Sequence, residues 1–220
     1  MSRILCLETS TTNCSVCIGE SNQILALKEF NSVEYSHAEK LHSFIDDVCK
    51  ENHIVLESLD AISVSKGPGS YTGLRIGVSA AKGLAFALDK PLISVPTLLV
   101  LAKQIEIESG LIVPMLDARR MEVYSEIYTS DFEIYRSIEA EILDKDSYSE
   151  ELQNHQVHFI GSGVEKFESI CRNPNAIFYK TKLPSAQEQY FAAQRKFDLN
   201  DFEDVAYFEP YYLKDFVPGR

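Results

Sequence analysis

Arg3-Ile-Leu-Cys-Leu-Glu8, Cys14-Ser-Val-Cys-Ile-Gly19 and Gln23-Ile-Leu-Ala-Leu-Lys-Glu-Phe30 open the chain as three short apolar-rich runs. Polar turns separate them, so they read as an antiparallel three-strand meander. Working outward, Ala38, Leu41, Ile45 and Val48 recur at helical spacing behind the capping box Ser36-x-x-Glu39. The β-branched run Ala61–Lys66 then predicts a strand, and Tyr71–Leu88 a helix beyond the turn Gly67-Pro-Gly-Ser70. Pro91–Val95 reads as a strand and Thr97–Ile107 as a helix. The order is βββαβαβα.

The second half repeats this order. Leu111–Leu116, Glu122–Thr129 and Phe132–Ser137 are strand-like, and a helix is expected near Asp144–Leu152. The strand Val157–Ile160, a helix capped by Ser162-x-x-Glu165, the strand Ala176–Tyr179 and a helix capped by Ser185-x-x-Glu188 complete the unit. Such a doubled unit matches the duplicated ribonuclease-H-like (actin-like ATPase) α/β fold, with an N-terminal lobe over 1–108 and a C-terminal lobe over 109–220. The tail from Asp198, rich in Tyr and Phe, is expected to pack back on the body.

Composition narrows the function. No run of eighteen apolar residues is present to span a membrane, and five irregularly spaced cysteines argue for a reducing compartment rather than a disulfide framework. A cytoplasmic location is expected. The net charge of −12 disfavours unaided binding to nucleic acid, which needs clustered cations to release counterions. The densest cationic group is Arg119-Arg120.

In the duplicated fold, the turn after the first strand of each lobe approaches the phosphates of a nucleotide. Thr9-Ser-Thr-Thr-Asn13 offers hydroxyl and amide donors there, and equally the composition of an ordinary polar turn. Its counterpart Asp117-Ala-Arg-Arg-Met121 has no glycine to let the backbone close on a phosphate. Gly161-Ser-Gly163 could meet an anion where the next helix opens. Thr9, Ser10, Thr11, Gly161 and Gly163 thus outline a degraded nucleotide cleft; no cofactor of the chain's own is expected, with ATP at most a weak ligand. Gly67–Gly73 lacks the spacing of a phosphate-binding P-loop and reads as a packing turn.

The helix Thr72–Leu88 is more informative. Only Arg75, Ser79 and Lys82 form a polar strip; the rest of the circumference is apolar or glycine, far wider than one sheet requires. Gly73, Gly77, Ala80, Ala81 and Leu84 form an arc flat enough for another helix. A second chain is the expected cover, another part of this chain the alternative.

Candidate catalytic groups fall short. Cys14-Ser-Val-Cys17 has metal-ligand spacing, yet positions three apart on a strand point to opposite faces. His37 and His42, about 140° apart around a helix, cannot share one metal, and His155 and His158 read as surface residues. Ser63-x-x-Lys66 and Ser79-x-x-Lys82 lack the companion motifs of serine–lysine acyl transfer. No catalytic residue and no metal ligand is expected.

Ile4-Leu-Cys-Leu-Glu-Thr-Ser10, Ser65-Lys-Gly-Pro-Gly-Ser-Tyr-Thr-Gly-Leu-Arg-Ile-Gly77, Ala81-Lys-Gly-Leu-Ala85, Lys90-Pro-Leu-Ile-Ser-Val95, Asp117-Ala-Arg-Arg-Met-Glu-Val-Tyr124 and Glu209-Pro-Tyr-Tyr-Leu213 together resemble the TsaB (YeaZ) family. The resemblance implies a non-catalytic partner of TsaD, which transfers the threonylcarbamoyl group to the tRNA adenine next to the anticodon. It implies pairing through the first two helices, a similar homodimer when alone, a TsaE-like ATPase joining the pair, and tRNA met indirectly. With the helical projection, Leu41, Phe44, Ile45 and Val48 of the first helix and Gly73, Ile76, Gly77, Ala80 and Leu84 of the second are the expected interface. Gly77→Arg is then expected to leave the monomer folded and abolish pairing. The histidine pair that binds metal in TsaD-like proteins corresponds to Thr97 and Leu101, neither of which replaces a histidine ligand. A stand-alone nucleotide-dependent transferase and, weakest, a metallopeptidase remain the alternatives.

Overall fold

A computed structural model describes residues 2–32 and 37–214. Its first sheet carries β1 (Arg3–Glu8), β2 (Asn13–Glu20), β3 (Gln23–Asn31), β4 (Ala61–Gly67) and β5 (Leu92–Pro96) in the order β3-β2-β1-β4-β5. β1 pairs antiparallel with β2 and parallel with β4, which is why it carries apolar residues on both faces. Leu5 and Leu7 face one side with Val16, Ile62 and Val64, against the helices α1 (His37–Glu51) and α2 (Tyr71–Leu88). Ile4 and Cys6 face the other side with Ile93 and Val95. The capping box at Ser36 lies outside the described residues.

The second sheet repeats the topology. β6 (Leu111–Asp117), β7 (Glu122–Thr129), β8 (Ile134–Ile142), β9 (Val157–Ile160) and β10 (Ala176–Tyr179) lie in the order β10-β9-β6-β7-β8. Leu152 of α4 (Ser149–Asn154) and Val164 and Phe167 of α5 (Val164–Ile170) cover Val113, Met115, Val123 and Phe159. β8 starts two residues later than the sequence predicts, because Phe132 sits in the turn with a left-handed φ of 62°. α3 (Thr97–Ala102) is shorter than predicted. The predicted cap at Ser162 is absent: Gly163 holds the N-cap position of α5, and Ser162 Oγ accepts from Asp117 N at 3.1 Å instead. Ser185 does cap α6 (Ala186–Asp198), accepting from Gln187 N at 3.2 Å.

Two compact units result, but not the halves 1–108 and 109–220. Met1–Val100 groups with Pro184–Tyr212, and Leu101–Leu183 with Leu213–Arg220. The reason is the uncovered face of the first sheet. Ala186, Tyr190 and Ala193 of α6 pack onto Ile4, Cys6 and Cys17. Gly19 makes room, since a Cβ there would stand 2.4 Å from the Tyr190 ring. Buried Gln189 fits the same face: turned to accept from Ser63 Oγ (2.8 Å) and Val64 N (3.0 Å), its amide donates to Leu7 O (3.1 Å). Among the described residues, no helix is long and apolar enough to cross a membrane.

Candidate partner interface

The first turn spends its polar groups inside its own unit. Thr9 Oγ1 donates to Gly73 O (2.8 Å), and Ser10 O accepts from Ser70 N (2.7 Å). Ser10 N (2.6 Å) and Ser10 Oγ (2.5 Å) both donate to Glu8, which also accepts from Ser65 Oγ. Asn13 Nδ2 donates to Pro184 O (3.0 Å), and Thr11 O meets His37 Nε2 at 2.7 Å. Thr9, Ser10 and Asn13 are buried, and Thr11 is half-buried. Burial pushes the Glu8 carboxyl above its ordinary range, and its hydroxyl and backbone donors pull it part of the way back. A phosphate approaching this turn would meet no free hydroxyl at Thr9 or Ser10 and a buried carboxyl behind them.

The same contacts explain the Gly67–Gly73 loop. A Cβ on Gly69 would stand 2.4 Å from Ser10 O, and one on Gly73 2.1 Å from Thr9 O. Gly77 is equally tight, with Thr9 Oγ1 2.2 Å from where its Cβ would be. These glycines let α2 lie against the end of β1. The expectation that Gly73 and Gly77 open toward a second chain is therefore corrected, and with it the expectation that Gly77→Arg leaves the monomer folded. Leu41, Ile45, Val48 and Ala80 are likewise buried in this unit's own core. Of the nine residues expected at the interface, Phe44, Ile76 and Leu84 remain partly exposed.

The tail engages the two cations of the α2 polar strip and leaves Ser79 exposed. Lys82 Nζ donates to Phe208 O (2.8 Å) and Ala206 O (3.2 Å). The Arg75 guanidinium lies 4.0 Å over the Tyr71 ring and donates to Tyr212 Oη (3.2 Å), while Tyr211 N donates to Lys66 O (2.7 Å). The tail does pack back, as expected. What stays open on α2 is a third arc: Thr72, Ser79, Gly83, Phe86 and Ala87 are exposed beside half-buried Ile76 and Leu84. Phe86 is 83% exposed, and a Cβ on Gly83 would meet nothing within 4 Å. Helical projection with burial assigned by composition alone missed this arc, because small residues occur on both sides of α2.

The other candidates resolve individually. Cys14 and Cys17 enter cores on opposite faces of the first sheet, and burial raises their thiols to about 11 and about 12. His37 and His158 are both buried, against the surface position expected for the latter. Thr97 and Leu101 are both fully buried. Among the described residues, no group of three His, Cys, Asp or Glu side chains could hold a metal. Gly161 has a left-handed φ of 118°, and a Cβ there would strike Met115 O at 2.5 Å, while one on Gly163 would strike Val123 at 2.6 Å. Both glycines are required by packing within their own unit.

Two five-stranded sheets of identical 3-2-1-4-5 order, each built by the same run of elements, define the ribonuclease-H-like, actin-like ATPase class. The model of the family TsaD, tRNA N6-adenosine threonylcarbamoyltransferase, matches residues 31–212. The tRNA threonylcarbamoyladenosine biosynthesis protein TsaB of Escherichia coli is 27% identical over 99% of this chain and 97% of its own. That of Haemophilus influenzae is 29% identical, over 99% and 98%. The solved structure of YeaZ from Pseudomonas aeruginosa superposes with a TM-score of 0.83 at 27% identity, covering 97% of this chain and all of the other. The chain belongs to this TsaD-related family and, within it, to the TsaB (YeaZ) group of non-catalytic threonylcarbamoyladenosine biosynthesis proteins.

Proposed function

We propose that this chain is the subunit that docks on a TsaD-like transferase and holds it in its active conformation, contributing no chemistry of its own. The observation that carries the reading is the open arc of α2: an exposed Phe86 beside Gly83, with half-buried Ile76 and Leu84 on the same helix. An aromatic that protrudes next to a backbone bare of side chains suits close helix–helix contact, with Phe86 as the anchor. Burying this face only in the assembled state biases the partner toward the conformation that presents it. The same face serves a homodimer when the transferase is absent, and a TsaE-like ATPase joins the pair. No nucleotide of the chain's own is required; the internal use of Thr9 and Ser10 supports this. The location that fits is the cytoplasm.

The test is threonylcarbamoylation of tRNA by the transferase, the ATPase and the intermediate-forming enzyme, with and without this chain. Modification that requires the chain, and fails with Gly83→Arg, is expected. Equal modification without the chain would overturn the reading.

A further inference from the structure

The proposed docking face leaves one motif unused: Arg119-Arg120, at the turn between β6 and β7. Both residues adopt left-handed backbone, with φ of 71° and 48°. That geometry suits Asn-Gly and is disfavoured for long L side chains. The charges around the turn are already balanced. Asp117 Oδ1 accepts from Arg119 N (2.6 Å) and from Lys166 Nζ (2.7 Å), and Glu122 pairs with Lys214 Nζ. Each acidic group flanking the turn thus has its own lysine. Arg119 and Arg120 are exposed, and among the described residues neither has an acidic partner. A chain of net charge −12 here displays two exposed guanidinium groups that no acidic side chain among the described residues pairs with.

The chemistry narrows the ligand. The turn holds no glycine, and Arg119 N is committed to Asp117, so the backbone cannot cradle a small phosphate. Two long, exposed forks on adjacent residues suit phosphodiester oxygens spaced along an extended polyanion. We propose that Arg119-Arg120 contacts the phosphodiester backbone of the tRNA in the assembled complex. This rests on the docking reading above and adds the surface by which an acidic subunit meets RNA.

The experiment measures tRNA binding to the complex of this chain with the transferase subunit, by fluorescence anisotropy across a KCl series. Two double variants are compared with the natural chain, Arg119→Ala with Arg120→Ala and Arg119→Asn with Arg120→Gly. Each lost phosphate contact should flatten the slope of log K against log salt by roughly 0.7–0.9, so two contacts by roughly 1.4–1.8. A fall in affinity of about tenfold or more at low salt is expected, with co-purification unchanged. The Asn-Gly variant has the residues the turn geometry favours, so its melting temperature should match or exceed that of the natural chain while tRNA binding is still lost. Unchanged affinity and slope would overturn the proposal. Loss of co-purification would overturn it too, by assigning the pair to protein docking. If the natural chain proves dispensable for modification, the docking reading fails and this proposal with it; if the chain is required and both variants bind tRNA normally, only this proposal fails.

Discussion

Three glycines of α2 separate packing from recognition one Cβ at a time. Gly73 faces a backbone oxygen, Gly77 a side-chain hydroxyl and Gly83 open space. Gly73→Ala should therefore destabilise the fold by about 1–3 kcal/mol through overpacking, despite the better helix propensity of alanine. Gly77→Arg should not fold at all. Gly83→Ala should stabilise by about 0.5–1 kcal/mol, and Gly83→Arg should leave the melting temperature near that of the natural chain while abolishing pairing. Urea melts with size-exclusion chromatography read both effects. If Gly83→Arg still pairs with unchanged affinity, the open arc is not the interface.

Glu8 makes a second residue-scale case. Burial raises its carboxyl in the folded state above the ordinary value of 4.5, so the folded chain holds that proton more tightly than the unfolded one. Its contribution is fully present below the unfolded value and is lost as pH rises through the folded one. The stability of the natural chain relative to Glu8→Gln should therefore decline with rising pH above 4.5. Urea midpoints of both proteins between pH 4 and 7.5 check this; a constant difference would mean that the proton is not held in the folded state.

At the scale of elements, α6 is the piece whose removal the first sheet cannot tolerate. It supplies Ala186, Tyr190 and Ala193 to a face that otherwise exposes Ile4, Cys6, Ile93 and Val95. A chain ending at residue 183 should be insoluble or lack a cooperative melt, and so should the fragment 1–108. Tyr190→Ala in the full chain should cost about 3–5 kcal/mol, measured by urea denaturation. A soluble, cooperatively melting 1–108 fragment would contradict the assignment of α6 to the first unit. The tail beyond α6 matters in a different way. It ties down Arg75 and Lys82 by hydrogen bonds, with Arg75 still exposed, and leaves the arc around Gly83 and Phe86 open beside them.

At the scale of the whole molecule, an acidic chain with an internally bonded first turn is expected to carry out no chemistry alone. Metal analysis of the purified chain should find no stoichiometric zinc or iron, since Thr97 and Leu101 cannot ligate one and no other described cluster can. A stoichiometric metal that persists through dialysis would reopen the metallopeptidase alternative. The isolated chain should likewise turn over no ATP, and should gain a role only in the reconstituted modification reaction.

Much of this was legible without coordinates. Strand and helix order follows from hydrophobic period, which is a local property, so the doubled βββαβαβα pattern could be read residue by residue. The opposite facing of Cys14 and Cys17 follows from the pleat alone. Family membership rested on long motifs such as Gly67–Gly77, which sequence carries directly. What sequence could not supply is which neighbour each face meets. Gly73, Gly77 and Gly83 are chemically identical, and a helical projection gives their angles but no reference direction for the core. Only the packed structure fixed that direction, by setting α2 against Thr9. The return of α6 to the first sheet, some ninety residues after β5, was hidden for the same reason. Periodicity records that a segment has an apolar side, and tertiary packing alone decides what covers it.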